Sequence, residues 1–404
     1  MNNLSLQIST SIMYTILLVI LVGWAHAVIE RQGFLSAVYF TNWAIYDRHH
    51  YPQDLPVDNL THVYYAFANI RRNGEVYLND DWADIQKHFA GDSWDDSGSD
   101  ATVYGNINQI NKLKKKNRNM KVLLSVGGWE DSSNFVGPAS TSAGRRVLAR
   151  SAVELMQNIG FDGIDIDWEY PVNDTQARNM VSLLQELRSE LRNGGSAENP
   201  YLLTAASPAG PSKYSVLHLA AMDQYLDYWN VMTYDYAGEW DHVSGHAASL
   251  YRSSSAPKST PFHTDQAITA YLNAGIPAHK IILGMPLYGR AFAGTDGPGS
   301  PFASIPAGHY ERGIYDYKDL PLEGAEVRED LKLGVSWSYD PSQRMMVSFD
   351  TPNIIKLKAE YIRSKGLGGG FFWDSSGDKP GEESLISTVA CGFFWRFMRL
   401  ADLT

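Results

Sequence analysis

The feature that most constrains the fold is a series of eight short apolar, β-branched runs separated by longer segments with helical periodicity. Such alternation of strands and helices implies parallel strands in an α/β protein. Eight strand–helix units predict a closed (β/α)8 TIM barrel, and an open doubly wound sheet is the alternative. No G-x-G-x-x-G motif follows the first run, which argues against the open sheet. The runs lie near Tyr39, Tyr65, Leu124, Asp165, Thr204, Met232, Leu283 and Phe372.

Polar, glycine and aromatic residues concentrate at the carboxyl ends of these runs. Active sites of (β/α)8 barrels lie at that face, because the loops that follow the strands meet there. The agreement of several independent runs predicts a catalytic site at this end of the barrel. The residues are Ser125, Gly128 and Trp129 after the third run, Asp167 and Glu169 after the fourth, Tyr234 and Asp235 after the sixth, and Trp373 after the eighth.

One connection interrupts the rhythm of strands and helices. Between Arg290 and about Phe349 the chain is rich in glycine, proline and aromatic residues and contains short strand-like pieces. We expect residues 291–349 to form a small α+β insertion between strands 7 and 8 that walls one side of the site. A long structured loop is the alternative. The catalytic barrel that contains this insertion is expected to span residues 34–404.

The stretch FDGIDIDWEYP crowds carboxylates onto a segment that otherwise reads as a buried strand. Because alternate side chains of a strand share a face, Asp165, Asp167 and Glu169 point one way and the apolar residues between them point the other. In a barrel the acidic row would face the lumen. Like-charge repulsion and desolvation should raise some of these pKa values, so that a proton is shared and Glu169 stays neutral. A protonated carboxyl is what a leaving oxygen needs, which predicts a general acid.

Other interpretations of the acidic row are less favoured. A purely structural role is usual for a single buried aspartate but not for three on one face. A calcium loop needs glycine in the turn of D-x-D-x-D-G, whereas isoleucines fill the gaps here. The chain has no H-E-x-x-H motif and no cysteine cluster, so neither a metal nor another cofactor is expected. The single cysteine, Cys391, excludes an internal disulfide.

The net charge of the chain is -11, which argues against a polyanion partner such as nucleic acid. The exception is the basic run that begins at Lys112. It continues a segment with helical spacing, and we interpret it as a solvated helix face.

Residues 1–27 have the shape of a secretory signal peptide, because an apolar run ends in Ala25-His26-Ala27. The run is shorter than the ~20 residues that a membrane span needs. Its leading segment has no lysine or arginine, so an uncleaved anchor is the alternative. We expect a secreted, extracellular protein with no stable membrane association after cleavage. Two N-x-T sequons, at Asn59 and Asn173, are compatible with secretion.

Six ordered motifs between about Ala37 and Ser387 resemble those of glycoside hydrolase family 18. The acidic stretch matches the D-x-x-D-x-D-x-E signature of that family, and LLSVGGW matches its S-x-G-G segment on the third strand. The segments NVMTYDYAG, GMPLYGRAF and GGGFFWD resemble its motifs on strands six to eight. AVYFTNWAIYDR is similar to the opening strand of fungal-type chitinases. The resemblance implies a secreted chitinase related to fungal endochitinases.

The resemblance also implies roles for five residues in a retaining mechanism in which the substrate's own N-acetyl group is the nucleophile. Glu169 would protonate the glycosidic oxygen and later activate water. Asp167 would orient the acetamido group and stabilise the oxazolinium ion, with Asp165 holding charge and proton behind it. Tyr234 would donate its hydroxyl to the acetamido group. Trp373 would form the apolar floor under the distorted sugar.

The remaining candidate residues support these five. Tyr39 and Ser125 are expected to hydrogen-bond the buried aspartates, and Asp162 is expected to brace the start of the strand. Expected substrate contacts are Tyr39, Phe67, Gly128, Trp129, Met232, Asp235, Tyr288 and Arg290.

This mechanism requires an N-acetyl sugar, so the implied partners are chitin and chitooligosaccharides. A catalytically silent chitin-binding lectin and an endo-β-N-acetylglucosaminidase that trims N-glycans are the alternatives. The segment EDSSNF after Trp129 lacks a tryptophan that related fungal enzymes often carry, which indicates that a stacking surface for sugars is missing on that side. The apolar C-terminal tail also resembles nothing expected after a last barrel helix. A monomer is expected.

Overall fold

Eight parallel strands close into a barrel in the computed structural model, which describes residues 33–92, 103–195 and 200–394. The first barrel strand pairs with both the second and the last, so the sheet is closed and the predicted (β/α)8 barrel is confirmed. The barrel strands are β1 (Leu35–Thr41), β2 (His62–Ile70), β4 (Lys121–Gly127), β5 (Gly163–Asp167), β6 (Leu202–Pro208), β7 (Tyr228–Met232), β8 (Ile281–Pro286) and β14 (Gly369–Trp373). The short β3 (Val76–Leu78) pairs antiparallel with the end of β2.

Helices connect the barrel strands, and several begin at side-chain caps that the sequence supplies. Thr141, Asn173 and Thr351 each accept a hydrogen bond from a backbone N–H in the first turn of their helix. The helices are α1 (Gly105–Lys116), α2 (Val136–Ala139), α3 (Ser142–Asn158), α4 (Asp174–Gly194), α5 (Pro211–Tyr214), α6 (Leu219–Asp223), α7 (Thr264–Asn273), α8 (Pro352–Lys365) and α9 (Leu385–Phe394). None of the helices described is long and apolar enough to cross a membrane.

The strand register brings polar side chains from neighbouring strands to one level of the lumen. Ser125 of β4 lies beside Asp165 of β5, and Asp165 lies beside Thr204 of β6. Isoleucines alternate with the aspartates of β5 and are fully buried. The alternation read from the sequence therefore directs carboxyl and hydroxyl groups to the same interior layer of the barrel.

A second, antiparallel sheet of five strands lies between β8 and β14 in the chain. Its strands are β9 (Tyr288–Ala293), β10 (Ile314–Asp316), β11 (Glu326–Asp330), β12 (Val335–Asp340) and β13 (Met345–Ser348). The sheet begins three residues before the expected 291–349, and that stretch contains only the short 3₁₀ turn Tyr317–Asp319 and no α-helix. The α part of the expected α+β lobe is therefore corrected, because frequent glycine and proline break helices and alternating residues favour strands.

Residues 1–27 and the tail that follows Phe394 lie outside the described residues. The signal-peptide prediction and the unusual C-terminal tail therefore stay as the sequence left them.

Candidate active site

Asp165 lies at the centre of a buried network of four hydrogen-bond donors. The hydroxyls of Tyr39 and Ser125 donate to Oδ2 over 2.8 and 2.7 Å. Thr204 and the amide of Asn230 donate to Oδ1 over 2.6 and 3.1 Å. Burial raises the pKa of Asp165, and hydrogen bonds from all four donors oppose that rise. The network is therefore built to hold a carboxylate that accepts at both oxygens.

Asp167, two residues further along β5, has the opposite environment. It is 4% exposed, and its Oδ1 has no hydrogen-bond partner among the described residues. Burial raises its pKa well above the usual range, and the charges of Glu169 and Asp165 raise it further. A buried carboxyl oxygen without a partner favours the protonated form, and that form can serve a ligand in the cleft.

The close packing around Asp167 explains a glycine in the third-strand motif. Gly127 has a φ of 112°, and a Cβ placed on it would lie 2.3 Å from the backbone oxygen of Asp167. Gly128 donates its N–H to the same oxygen over 2.9 Å. Only glycine at position 127 therefore allows β4 to approach the end of β5 this closely.

Glu169 follows β5 and is partly buried, with its backbone N–H donating to the hydroxyl of Ser132 over 2.6 Å. Burial raises its pKa to about 7, a hydrogen bond with Tyr170 opposes the rise, and the charge of Asp235 adds to it. The sequence attributed this rise to the two lumen aspartates. In the structure the rise instead comes first from burial and then from the charge of Asp235, and the charge of Glu169 in turn raises the pKa of Asp167.

An aromatic wall adjoins the carboxyl groups. Trp373 packs edge-on against Tyr39 and stacks on Phe67, with ring centroids 5.4 and 5.7 Å apart. Tyr234 packs edge-on against Phe371 and Tyr288. Burial raises the pKa of Tyr234 well above its usual range, and the charges of Glu169 and Asp167 contribute. The Tyr234 hydroxyl therefore keeps its proton and can donate a hydrogen bond.

Asp235 joins the barrel to the second sheet. It accepts the hydroxyl of Tyr288 over 2.7 Å and Nε of Arg290 over 2.5 Å. The guanidinium of Arg290 lies 4.7 Å from the ring centroid of Trp240, a distance typical of a cation–π contact. Three residues that the sequence assigned to the pocket thus form one cluster, and its carboxylate acts on Glu169.

The other expected site residues differ in their exposure and in their distance from the carboxyl groups. Trp129 is 71% exposed and Met232 is 9% exposed. Phe67 contacts Gly128, where an added Cβ would lie 2.6 Å from its ring. Asp162 lies at the start of β5, away from the carboxyl-end site, where Oδ2 accepts the backbone N–H of Val122 over 2.8 Å.

Several residues of the site were not singled out from the sequence. Thr204 and Asn230 lie inside apolar runs that resemble ordinary strands, and Ser132 lies in the segment EDSSNF, which contains no predicted site residue. The Ser132 hydroxyl donates to the backbone oxygen of Gly128 over 2.9 Å and accepts from Glu169, so it ties the loop after β4 to the acid. A polar residue at an inward position of an apolar strand was the available signal for Thr204 and Asn230.

Asp165 and Asp167 are inward carboxyls with opposite surroundings, and Glu169 beside them is a third carboxyl with a raised pKa. Together with the adjacent aromatic wall they form an arrangement suited to general acid–base chemistry. At the carboxyl-end face of a (β/α)8 barrel this arrangement suits the acid–base chemistry of glycoside hydrolases. The chain belongs to glycosyl hydrolases family 18, whose family model matches residues 36–378.

Curated relatives and solved structures agree with this family. Chitinase 1 of Aphanocladium album is 50% identical over 369 residues, which cover 90% of this chain and 87% of that protein. Endochitinase 1 of Metarhizium robertsii is 49% identical over 88% of this chain and 84% of its own length. The catalytic domain of psychrophilic chitinase B from Arthrobacter superposes with a TM-score of 0.82 at 31% identity, covering 90% of this chain and 95% of that domain.

Proposed function

We propose that this protein is a chitinase that hydrolyses β-1,4 linkages between N-acetylglucosamine units of chitin and chitooligosaccharides, with retention and substrate assistance. The names of the relatives support the substrate. The observation that carries the mechanism is the contrast between the two aspartates. Asp165 is saturated by four donors, whereas Oδ1 of Asp167 has no partner within the described residues.

Glu169 is the general acid and base of this proposal. Its pKa of about 7 keeps it protonated in weakly acidic solution, where it can donate to the bridging oxygen. After the leaving sugar departs, the carboxylate accepts a proton from water as that water attacks the anomeric carbon. Acid catalysis of this kind contributes ~10²–10⁴-fold.

The acetamido group of the substrate closes on its own anomeric carbon, and Asp167 and Tyr234 position it. The unpartnered oxygen of Asp167 takes the acetamido N–H, and the Tyr234 hydroxyl donates to its carbonyl oxygen. Asp165 holds negative charge behind Asp167, which stabilises the positive oxazolinium ion. Such a pre-positioned intramolecular nucleophile acts at a very high effective molarity.

The aromatic residues bind sugar faces. Trp373 lies under the sugar that is cleaved, and Trp129 stacks on a sugar on the leaving side. Tyr39, Phe67, Gly128 and Met232 shape the pocket. The cluster of Asp235, Tyr288 and Arg290 lines it on the side of the second sheet.

The decisive test is the variant Glu169→Gln with Glu154→Gln as the control. Glu154 is an exposed carboxylate on α3. We expect the first change to abolish hydrolysis of chitohexaose while oligosaccharide binding by calorimetry persists, and the second to change neither. Glu169→Gln should unfold no more readily than the parent above pH 7, because burial disfavours only the ionised form of Glu169. Turnover at the parental rate in Glu169→Gln would exclude this residue as the acid.

Two substrates separate chitinase from the alternatives. Incubation with chitohexaose and with a high-mannose glycopeptide, followed by mass spectrometry, should give products from the first only. Release of the glycan from the glycopeptide would instead indicate an endo-β-N-acetylglucosaminidase, and binding without products from either would indicate a lectin. A chitobiose thiazoline should inhibit hydrolysis, because it mimics the oxazolinium ion.

We infer that the enzyme acts outside the cell as a monomer and needs no metal or cofactor. The apolar segment that ends in Ala25-His26-Ala27 supports export. Mass spectrometry of protein recovered from the medium would locate the cleavage point. Light scattering would give the oligomeric state, and activity after EDTA treatment would test the metal requirement.

A further inference from the structure

The two N-x-T sequons of this chain have very different structural surroundings. Sequons accept N-linked glycans in proteins that enter the secretory pathway. A glycan is bulky, so the folded protein can carry it only where the asparagine side chain faces solvent.

Asn173 is exposed and caps helix α4 in a way that leaves its amide nitrogen available. Its Oδ1 accepts the backbone N–H of Gln176 over 3.0 Å. Its Nδ2 makes no hydrogen bond to any described residue. The neighbouring Val172 is 66% exposed, and Asp174 and Thr175 are exposed as well. A bond to Nδ2 would therefore keep the cap intact and would meet solvent rather than protein.

Asn59 is held against the rest of the barrel. Its Nδ2 donates to the hydroxyl of Ser387 in α9 over 2.9 Å, in a partly buried contact. A sugar on this nitrogen would replace one of its two N–H groups and would have to fit beside the partly buried contact between Asn59 and α9. A glycan at Asn59 would therefore compete with the packing of α9, whereas one at Asn173 would not.

The threonines of the two sequons also differ, because only the hydroxyl of the first one makes structural hydrogen bonds. Thr61 accepts the N–H of Ser36 over 3.0 Å and donates to the oxygen of Ser36 over 3.1 Å, so its hydroxyl joins β1 to β2. The Thr175 hydroxyl has no hydrogen bond within the described residues. Structural needs thus account for both polar residues of the first sequon, whereas Thr175 has no structural task.

We propose that Asn173 carries an N-linked glycan in the secreted enzyme and that Asn59 stays unmodified. The inference rests on the proposed secretion. The donor is a lipid-pyrophosphate-linked oligosaccharide. The asparagine Nδ2 bonds to the anomeric carbon, the bond from that carbon to the pyrophosphate breaks, and the lipid pyrophosphate leaves with the electron pair while the amide nitrogen loses a proton. The glycan stands four residues after Glu169, at the active-site end of the barrel.

The full chain is produced in a eukaryotic secretory host, and the mass of the protein in the medium is compared before and after treatment with an N-glycan amidase. We expect one site, converted to aspartate at position 173. Thr175→Ala should lose the glycan, and Thr175→Ser should keep it, because serine also completes a sequon. Asn59→Gln should remain glycosylated. Thr175→Ala should retain full activity on chitohexaose.

Three results would overturn the proposal: secreted parent protein without a glycan, a glycan that persists in Thr175→Ala, or occupancy of Asn59 in the secreted enzyme. A second arm carries a leader from a host secretory protein. If the chain is exported and glycosylated only in that arm, the proposed secretion fails but the site stands. If the chain is exported without a glycan in that arm, the proposed glycosylation site at Asn173 is refuted. Activity on chitohexaose tests the proposed enzyme function independently of both secretion and glycosylation.

Discussion

Lys358 and Asp350 form an ion pair that is almost completely removed from water. Nζ lies 2.5 Å from Oδ2, and the side chains are 0% and 4% exposed. The pair fixes α8 to the residues that precede it, and α8 leads into β14, whose last residue is Trp373. Substituting Lys358 by methionine keeps most of the buried stem and removes the charge, so Asp350 is left without its counter-ion.

We expect Lys358→Met to lower the free energy of unfolding by about 3–5 kcal/mol at pH 7, the usual cost of leaving one charge of a buried pair unpaired. The loss should depend on pH. Burial already raises the pKa of Asp350 and Lys358 opposes that rise, so the variant raises the pKa further. A carboxyl whose pKa is raised by folding binds its proton more tightly in the folded state. The variant therefore keeps its stability below the pKa that Asp350 has in the unfolded chain. It loses stability as pH rises from that pKa towards the raised pKa of the folded state, by up to about 1.4 kcal/mol per pH unit.

Urea unfolding of the variant and the parent at pH 4, 5.5 and 7 measures this loss. It should shrink to about 1 kcal/mol near pH 4, where the folded variant holds Asp350 protonated and the unfolded chain, with an ordinary Asp pKa of about 3.9, binds that proton about half of the time. The matched control is Lys365→Met, which breaks a more exposed pair with Asp265 at 2.9 Å and should cost at most about 1 kcal/mol. Adding Asp350→Asn to Lys358→Met should recover part of the stability. A loss that is the same at pH 4 and pH 7 would refute the account of an unpaired buried carboxylate.

Three further predictions concern the active site. The value of kcat/KM should fall as pH rises through about 7, because the acid must be protonated and the pKa of Glu169 is about 7. Asp235→Asn removes a charge that raises this pKa, so a pH–rate profile should show the falling limb at lower pH, and an unmoved limb would contradict the role of Asp235. Tyr234→Phe should lower kcat on chitohexaose about 10²-fold with little change in melting temperature, because it removes a donor to the reacting acetamido group. Loss of stability without loss of kcat would instead indicate a packing role.

The periodicity of the sequence is enough to predict most of the barrel. The alternation of apolar runs with helical segments gave eight strands, and the period of two in the acidic strand placed Asp165 and Asp167 on one face. The same alternation did not reveal what surrounds them. Thr204 and Asn230 sit in apolar strands, and nothing near them in the chain marks them as partners of Asp165.

The sequence also predicts the second sheet only in part. Glycine, proline and aromatic density between Arg290 and Phe349 marked an interruption of the barrel, but not its exact start or its lack of an α-helix. Tyr288 belongs to that sheet, pairing across it with Asp316, although the sequence motif joined it to the barrel strand before it.

The sequence by itself determined the strand count, the face that carries the acids and the carboxyls at that face, because side-chain direction within one strand depends only on neighbours along the chain. Tertiary structure decided which carboxyl is saturated, which oxygen lacks a partner and what raises the pKa of Glu169. Those outcomes depend on groups brought together when the barrel closes, such as the Tyr39 hydroxyl, which reaches Asp165 from 126 residues away. Desolvation and hydrogen bonding act through space, so the protonation pattern of the acids is a property of the closed barrel.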